Sequence, residues 1–132
     1  MRERIDYELS ILRDGGQAAD YFDVGGRGFV LYREVPTRSP PPGLPAASDV
    51  IVPVPSGYPA AMIDLAGLPV DSPLLGRVKG GGNNQGNVAV DGRNWQLASY
   101  HPHGNGGGPP WNPAAHGFHT YYDQVLAWLS VL

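Results

Sequence analysis

The chain reads as an α+β protein in which an antiparallel meander packs against an N-terminal and a C-terminal helix. Three observations point there. Apolar residues recur at helical spacing near the start and again towards the end of the sequence. Short apolar runs with strand character lie between them, set apart by clusters of glycine and proline. Strands grouped together with helices outside them give a sheet with segregated helices, not the alternation of a parallel sheet.

Ile5, Leu9 and Leu12 fall on one helical face and Asp14-Gly15-Gly16 supplies a stop, so the spacing predicts a short amphipathic helix over residues 3–13. Tyr21 to Val24, the turn Gly25-Gly26-Arg27-Gly28 and Phe29 to Tyr32 read as a β-hairpin. Ser39-Pro40-Pro41-Pro42-Gly43 reads as a surface loop, because proline lacks the donor a strand ladder needs. Asp49 to Val52 is the third strand and Met62 to Leu65 a fourth. Residues 76–94, rich in glycine and asparagine, favour a flexible loop. Asn94 to Tyr100 alternates as a strand, with Trp95, Leu97, Ser99 and His101 on one face and Gln96, Ala98 and Tyr100 on the other. Asn112-Pro113 resembles a helix start, asparagine capping and proline in the first position. The stripe Phe118, Tyr121 or Tyr122, Val125, Leu129 and Leu132 then predicts an amphipathic C-terminal helix. Phe29, Leu31, Ile51, Trp95, Leu97, Val125 and Leu129 are the expected core.

Residues 1–132 are long enough for one domain with one ordinary core. The net charge of −3 and a pI near 5.7 argue against a nucleic-acid partner, whose footprint is a basic patch. Neither a signal-peptide pattern nor an apolar run of about 18 residues is present, so no membrane partner is expected and the cytoplasm is the default location. The 19 glycines and 14 prolines cluster at 36–45, 79–87 and 102–113, which predicts an ordered fold with long loops. The absence of cysteine closes the routes to disulfides, thiolate metal sites and thioester chemistry.

Gly57-Tyr58-Pro59 follows a strand, Gly92-Arg93-Asn94-Trp95-Gln96 leads to Ser99 and His101, and Trp111-Asn112-Pro113 precedes the last helix. In type and order these elements resemble the ubiquitin-conjugating domain. They are most similar to the bacterial conjugating-enzyme-like family found beside multi-ubiquitin-like proteins, prokaryotic conjugating-enzyme family E. The resemblance spans roughly residues 20–132 and implies a ubiquitin-conjugating-like fold. It implies a ubiquitin-like protein and its activating enzyme as partners, with a metal-dependent isopeptidase in the same pathway. A typical conjugating enzyme carries its cargo on a cysteine between the His-Pro and Trp-Pro elements. Here that stretch, Gly104 to Pro110, holds no nucleophile.

Ser99 is then the candidate acceptor and His101 the candidate base, because a serine hydroxyl needs a base within hydrogen-bond reach. Asn94 and Gln96 are candidate donors to a developing oxyanion, and His103 and Trp111 complete the expected contacts with cargo. A non-catalytic binding module for the same cargo is the rival reading. His101, His103, His116 and His119, with Asp123 one turn on, offer a third reading as a zinc hydrolase. Pro102 and Gly117 interrupt both histidine pairs, so neither metal nor other cofactor is expected. The glycine runs are not phosphate loops, since the lysine and serine of that motif are missing.

Overall fold

A computed structural model describes residues 2–37, 43–78, 86–99 and 110–130, with Ser99 described in its backbone alone. Helix α1 (Arg2–Asp14) buries Ile5, Leu9 and Leu12 and carries Arg2–Asp6 and Arg4–Glu8 ion pairs one turn apart. It ends at Gly16, whose φ of +88° suits glycine. The Gly16 N–H donates to the Arg13 carbonyl and the Gln17 N–H to that of Leu12, which satisfies two of the last carbonyls.

Strands β1 (Ala19–Val24) and β2 (Arg27–Pro36) form the expected hairpin. Its two-residue turn, Gly25-Gly26, has φ of 59° and 85°, the left-handed pair that matches the twist of the flanking strands. Strands β3 (Ala47–Pro53) and β4 (Leu65–Pro69) extend the sheet. The fourth strand begins where the expected one ended, with Ile63 buried just before it. The segment 76–94 is not wholly a loop. After a 3₁₀ turn (Pro73–Arg77) it contains β5 (Asn87–Val90), joined to β6 (Arg93–Ser99) through Asp91-Gly92 with φ of 56° and 72°. All pairings are antiparallel in the order β1-β2-β3-β4-β6-β5.

Helix α2 (Phe118–Ser130) starts five residues later than Asn112-Pro113 implied. The Asn112 side chain does cap, but caps a turn: its Oδ1 accepts from the Ala114 N–H, while its own N–H donates to His116 Nδ1. That turn is closed by backbone bonds from Ala115 and His116 to the Asn112 carbonyl, so α2 needs a second start. Thr120 supplies it by accepting from the Gly117 N–H.

Every expected core residue is buried, but in two clusters on opposite faces of the sheet. Both helices cover Val30, Tyr32, Val50, Val52, Ala66, Leu68 and Ala98, with Val125 and Leu129. Phe29, Leu31, Ile51, Trp95 and Leu97 face the other way, with Val90. No helix among the described residues covers that second cluster. The β5–β6 hairpin turns back over it instead, held by ion pairs from Asp91 to Arg33 and from Arg93 to Asp49. Gly67 permits this double layer at its centre, where an added Cβ would sit 2.6 Å from Ile51 Cγ2 and 2.9 Å from Leu97 Cδ2.

Candidate functional site

Glu8 lies on the apolar face of α1, only 2% exposed. A carboxylate so placed is costly unless it is hydrogen-bonded. Its Oε1 accepts from the Tyr58 hydroxyl at 2.6 Å and from the Phe118 N–H at 3.0 Å; its Oε2 accepts from Arg4 Nε at 2.7 Å. Phe118 is the first residue of α2, so a negative group on one helix caps the positive end of the other. Arg4 also donates to the carbonyls of Pro113 and His116. Gly117 is required beside this group, since a Cβ there would lie 2.4 Å from Glu8 Oε2.

The same cluster joins the Tyr-Pro and Trp-x-Pro elements. Trp111 Nε1–H donates to the Pro59 carbonyl at 2.9 Å, and the Tyr58 ring packs against those of Trp111 and Phe118. The Tyr58–Pro59 peptide is cis. His116 packs on Trp111, and its Nδ1 is occupied by the Asn112 N–H. Trp111 is thus half-buried in internal contacts, and its indole N–H is spent within the chain. Burial, and then the hydrogen bond to Glu8, pushes the Tyr58 hydroxyl well above its ordinary value. Burial does the same to Tyr32, which donates to the Phe118 carbonyl at 2.6 Å.

These two shifts have a sign that can be tested. A tyrosine raised in the fold stays protonated where the unfolded chain has lost its proton, from about pH 10 upwards. The unfolded state then binds fewer protons, so stability is intact below that pH and falls as pH rises towards the folded values. Urea midpoints measured from neutral to strongly alkaline pH should decline above about pH 10. Tyr32→Phe should be less stable at neutral pH and decline less steeply; an unchanged slope would exclude this tyrosine as a source.

Strand β6 carries the other candidates. Ser99 pairs with Leu65, the first residue of β4, and the Leu65 carbonyl accepts from the Tyr121 hydroxyl of α2 at 3.0 Å. Asn94 is five residues away along the same strand, about 17 Å, and opposite Ala89. Its carbonyl is bonded to the Val70 N–H. Asn94 therefore does not share a position with Ser99, and Gln96, half-buried between Leu68 and Asn87, lies three residues short of it. His101 and His103 lie outside the described residues. Among the described residues no group of three possible ligands converges on a metal position. Within that set His119 Nδ1 is buried without a hydrogen-bond partner.

One sheet end gathers further features. Phe29 is level with Pro53, and the Ile51–Gly67 pair brings Pro53 level with Leu65, which faces Ser99. A single row thus crosses β2, β3, β4 and β6. Beside it lies a groove of about 600 Å³ between the Gly25–Gly28 turn and Pro53 to Gly57, with Asp64 and Leu65 at its β4 side. Glu8, Tyr58 and the groove were not among the expected site residues. The signal for Glu8 was present, as an acidic residue at helical spacing from both Ile5 and Leu12. No family model matches the chain, and no curated protein or solved structure matches it.

Proposed function

We propose that the chain is a ubiquitin-conjugating-like component of a bacterial ubiquitin-like modification pathway, working without a cysteine thioester. The observation that carries this reading is the meeting of motifs distant in sequence. The Tyr58-Pro59 turn is bonded to Trp111, and the strand bearing Trp95, Gln96 and Ser99 is registered against Leu65, which Tyr121 holds. An antiparallel sheet with helices at both ends also agrees with the fold this family implies.

In this reading the activating enzyme presents the ubiquitin-like protein as a thioester. Ser99 Oγ attacks the thioester carbonyl, its proton passes to His101, and the activating enzyme's thiolate leaves and takes up a proton. An oxyester joins cargo and Ser99 until an amine attacks it, forming an amide and returning the proton to the serine oxygen. Nothing but a hydroxyl, imidazole or amine of this chain can accept the cargo, because it has no thiol.

Intact mass measurement tests the reading after the chain is mixed with its activating enzyme, ubiquitin-like partner and ATP. The expected adduct survives thiol reductant and breaks in hydroxide or hydroxylamine. Ser99→Ala should abolish it and His101→Ala should slow it. An adduct that persists in Ser99→Ala puts the acceptor elsewhere. Reversible binding with no adduct in the wild type favours a module that holds the cargo without covalent chemistry.

A further inference from the structure

The sheet ends in β1 on one side and β5 on the other, and the two edges are built differently. At β1 the Arg33 N–H donates to the Ala18 carbonyl, so alternation turns the N–H and C=O groups of Ala19, Tyr21 and Asp23 outward. Charged side chains guard them. The Ala19 carbonyl accepts from Arg13 Nε at 2.9 Å, the Arg2 guanidinium lies 3.8 Å from the Tyr21 ring centroid, and Asp20 pairs with both Arg13 and Arg33. Charges placed this way keep an edge from pairing with another strand. Strand β5 has no such guard. Asn87-Val88-Ala89-Val90 carries no charge and no proline, and it pairs with β6 without a bulge. The Leu97 N–H donates to the Gly86 carbonyl, so the same alternation directs the main chain of Val88 and Val90 to β6. Asn87 and Ala89, both exposed, are left with their N–H and C=O groups pointing outward, and no strand among the described residues takes them. Val88 is half-buried against the second apolar cluster, on the side of the sheet that no helix among the described residues covers.

We propose that β5 pairs antiparallel with β5 of a second copy of this chain, about a twofold axis at Val88. The outward groups fix the register. Asn87 opposite Ala89 of the second copy, and Ala89 opposite its Asn87, exchange N–H···O bonds in both directions. Val88 then faces its own counterpart as the close, non-hydrogen-bonded pair between them. A strand without charge is complementary to itself under such an axis, because no like charges meet. The pairing merges two six-stranded sheets into one, and Val88 joins the two second clusters at their margins. A contact of one short strand is well below the roughly 1,200 Å² at which stable interfaces begin, so dimer and monomer exchange. Nothing in this pairing depends on the conjugation reading.

The test exploits the absence of cysteine, since a single introduced thiol is then the only one in the chain. In this register the two Val88 Cα atoms lie about 4.5 Å apart, within the span of a disulfide. Asn87 and Ala89 each sit two residues out of line with their own counterparts, roughly 8.5 Å away and beyond that span. Under mild oxidation at millimolar protein, Val88→Cys should cross-link to itself several-fold faster than Asn87→Cys or Ala89→Cys, although those two side chains are the more exposed. Sedimentation of the unsubstituted chain should show its mass rising towards that of a dimer between micromolar and millimolar concentration. Ala89→Pro should hold it at the monomer, because proline removes an outward donor and no bond to β6. Val88→Lys should do the same by setting like charges face to face, and amide spectra of both variants check that the monomer keeps its fold. Cross-linking rates that follow exposure would overturn the proposal. So would a monomer at every concentration, which leaves the edge to an extended segment of another protein, or a dimer that survives both Ala89→Pro and Val88→Lys.

Discussion

Replacing Glu8 with alanine should destabilise the protein by about 3–5 kcal/mol, the cost of removing one partner from a buried charged network. The change strands the Tyr58 hydroxyl and the Phe118 N–H in the interior and takes from Arg4 its only carboxylate among the described residues. It also leaves a hole beside Gly117, where the carboxylate now fits against a missing side chain. Glu8→Gln tests the charge separately. The amide keeps an acceptor for Tyr58 or Phe118, but loses the ionic bond to Arg4, so a smaller loss is expected. Urea denaturation of both variants at neutral pH decides the matter. A loss below about 1 kcal/mol for Glu8→Ala would mean the network relaxes or hydrates, and that the helices are held by apolar packing alone.

Trp95→Ala should cost about 3–5 kcal/mol, as for other large buried aromatic side chains. Trp95 is fully buried with no helix among the described residues behind it, and its indole N–H donates to the Val90 carbonyl across the β5–β6 hairpin. Arg93 lies over the ring at 4.5 Å and pairs with Asp49, so the ring and its cover anchor the hairpin to β3. Loss of the anchor should free the hairpin before the rest unfolds. Amide exchange in the variant should be fastest at Val88 to Val90, with Val30, Tyr32 and Val50 protected. Uniform acceleration across the sheet would show that the two clusters unfold as one unit.

The fold class was legible because the helices obey simple periodicity and the first hairpin carries a Gly-Gly turn. What the periodicity of single segments did not reveal is that the sheet is buried on both faces. Phe29 to Tyr32 is an unbroken apolar run taken only as one strand of a hairpin, yet Val30 and Tyr32 face the helices while Phe29 and Leu31 face the returning hairpin. That hairpin was hidden in composition. Asp91-Gly92 between Val90 and Trp95 is a strong turn signal, outweighed in the reading by the glycines and asparagines before it. Asn112-Pro113 misled for a local reason: the asparagine caps as its chemistry dictates, but the cap closes a turn that ends before Gly117. Of the candidate site, the place of Ser99 in the last strand was expected, while its pairing with Leu65 depends on the sheet order. The separation of Asn94 from it was also legible, since five residues along one strand already span about 17 Å. The groove at Arg27 depends on neighbours from three strands, which no local window contains.

The Glu8 bonds also set an order of events for a chain made from its N-terminus. Glu8 and Phe118 are 110 residues apart, and Arg4 and His116 are 112 apart. During synthesis Arg4 is available to the carboxylate at once and Tyr58 after fifty more residues, but the Phe118 N–H only after 110. Until then one acceptor position on Glu8 is left to water, and burying α1 against the sheet carries the cost of that missing bond. Closure of this site is therefore a long-range step that waits for residues 116–118 to be made. A nascent chain stalled before Gly117 should remain open to protease at α1, while one extended past α2 should be resistant.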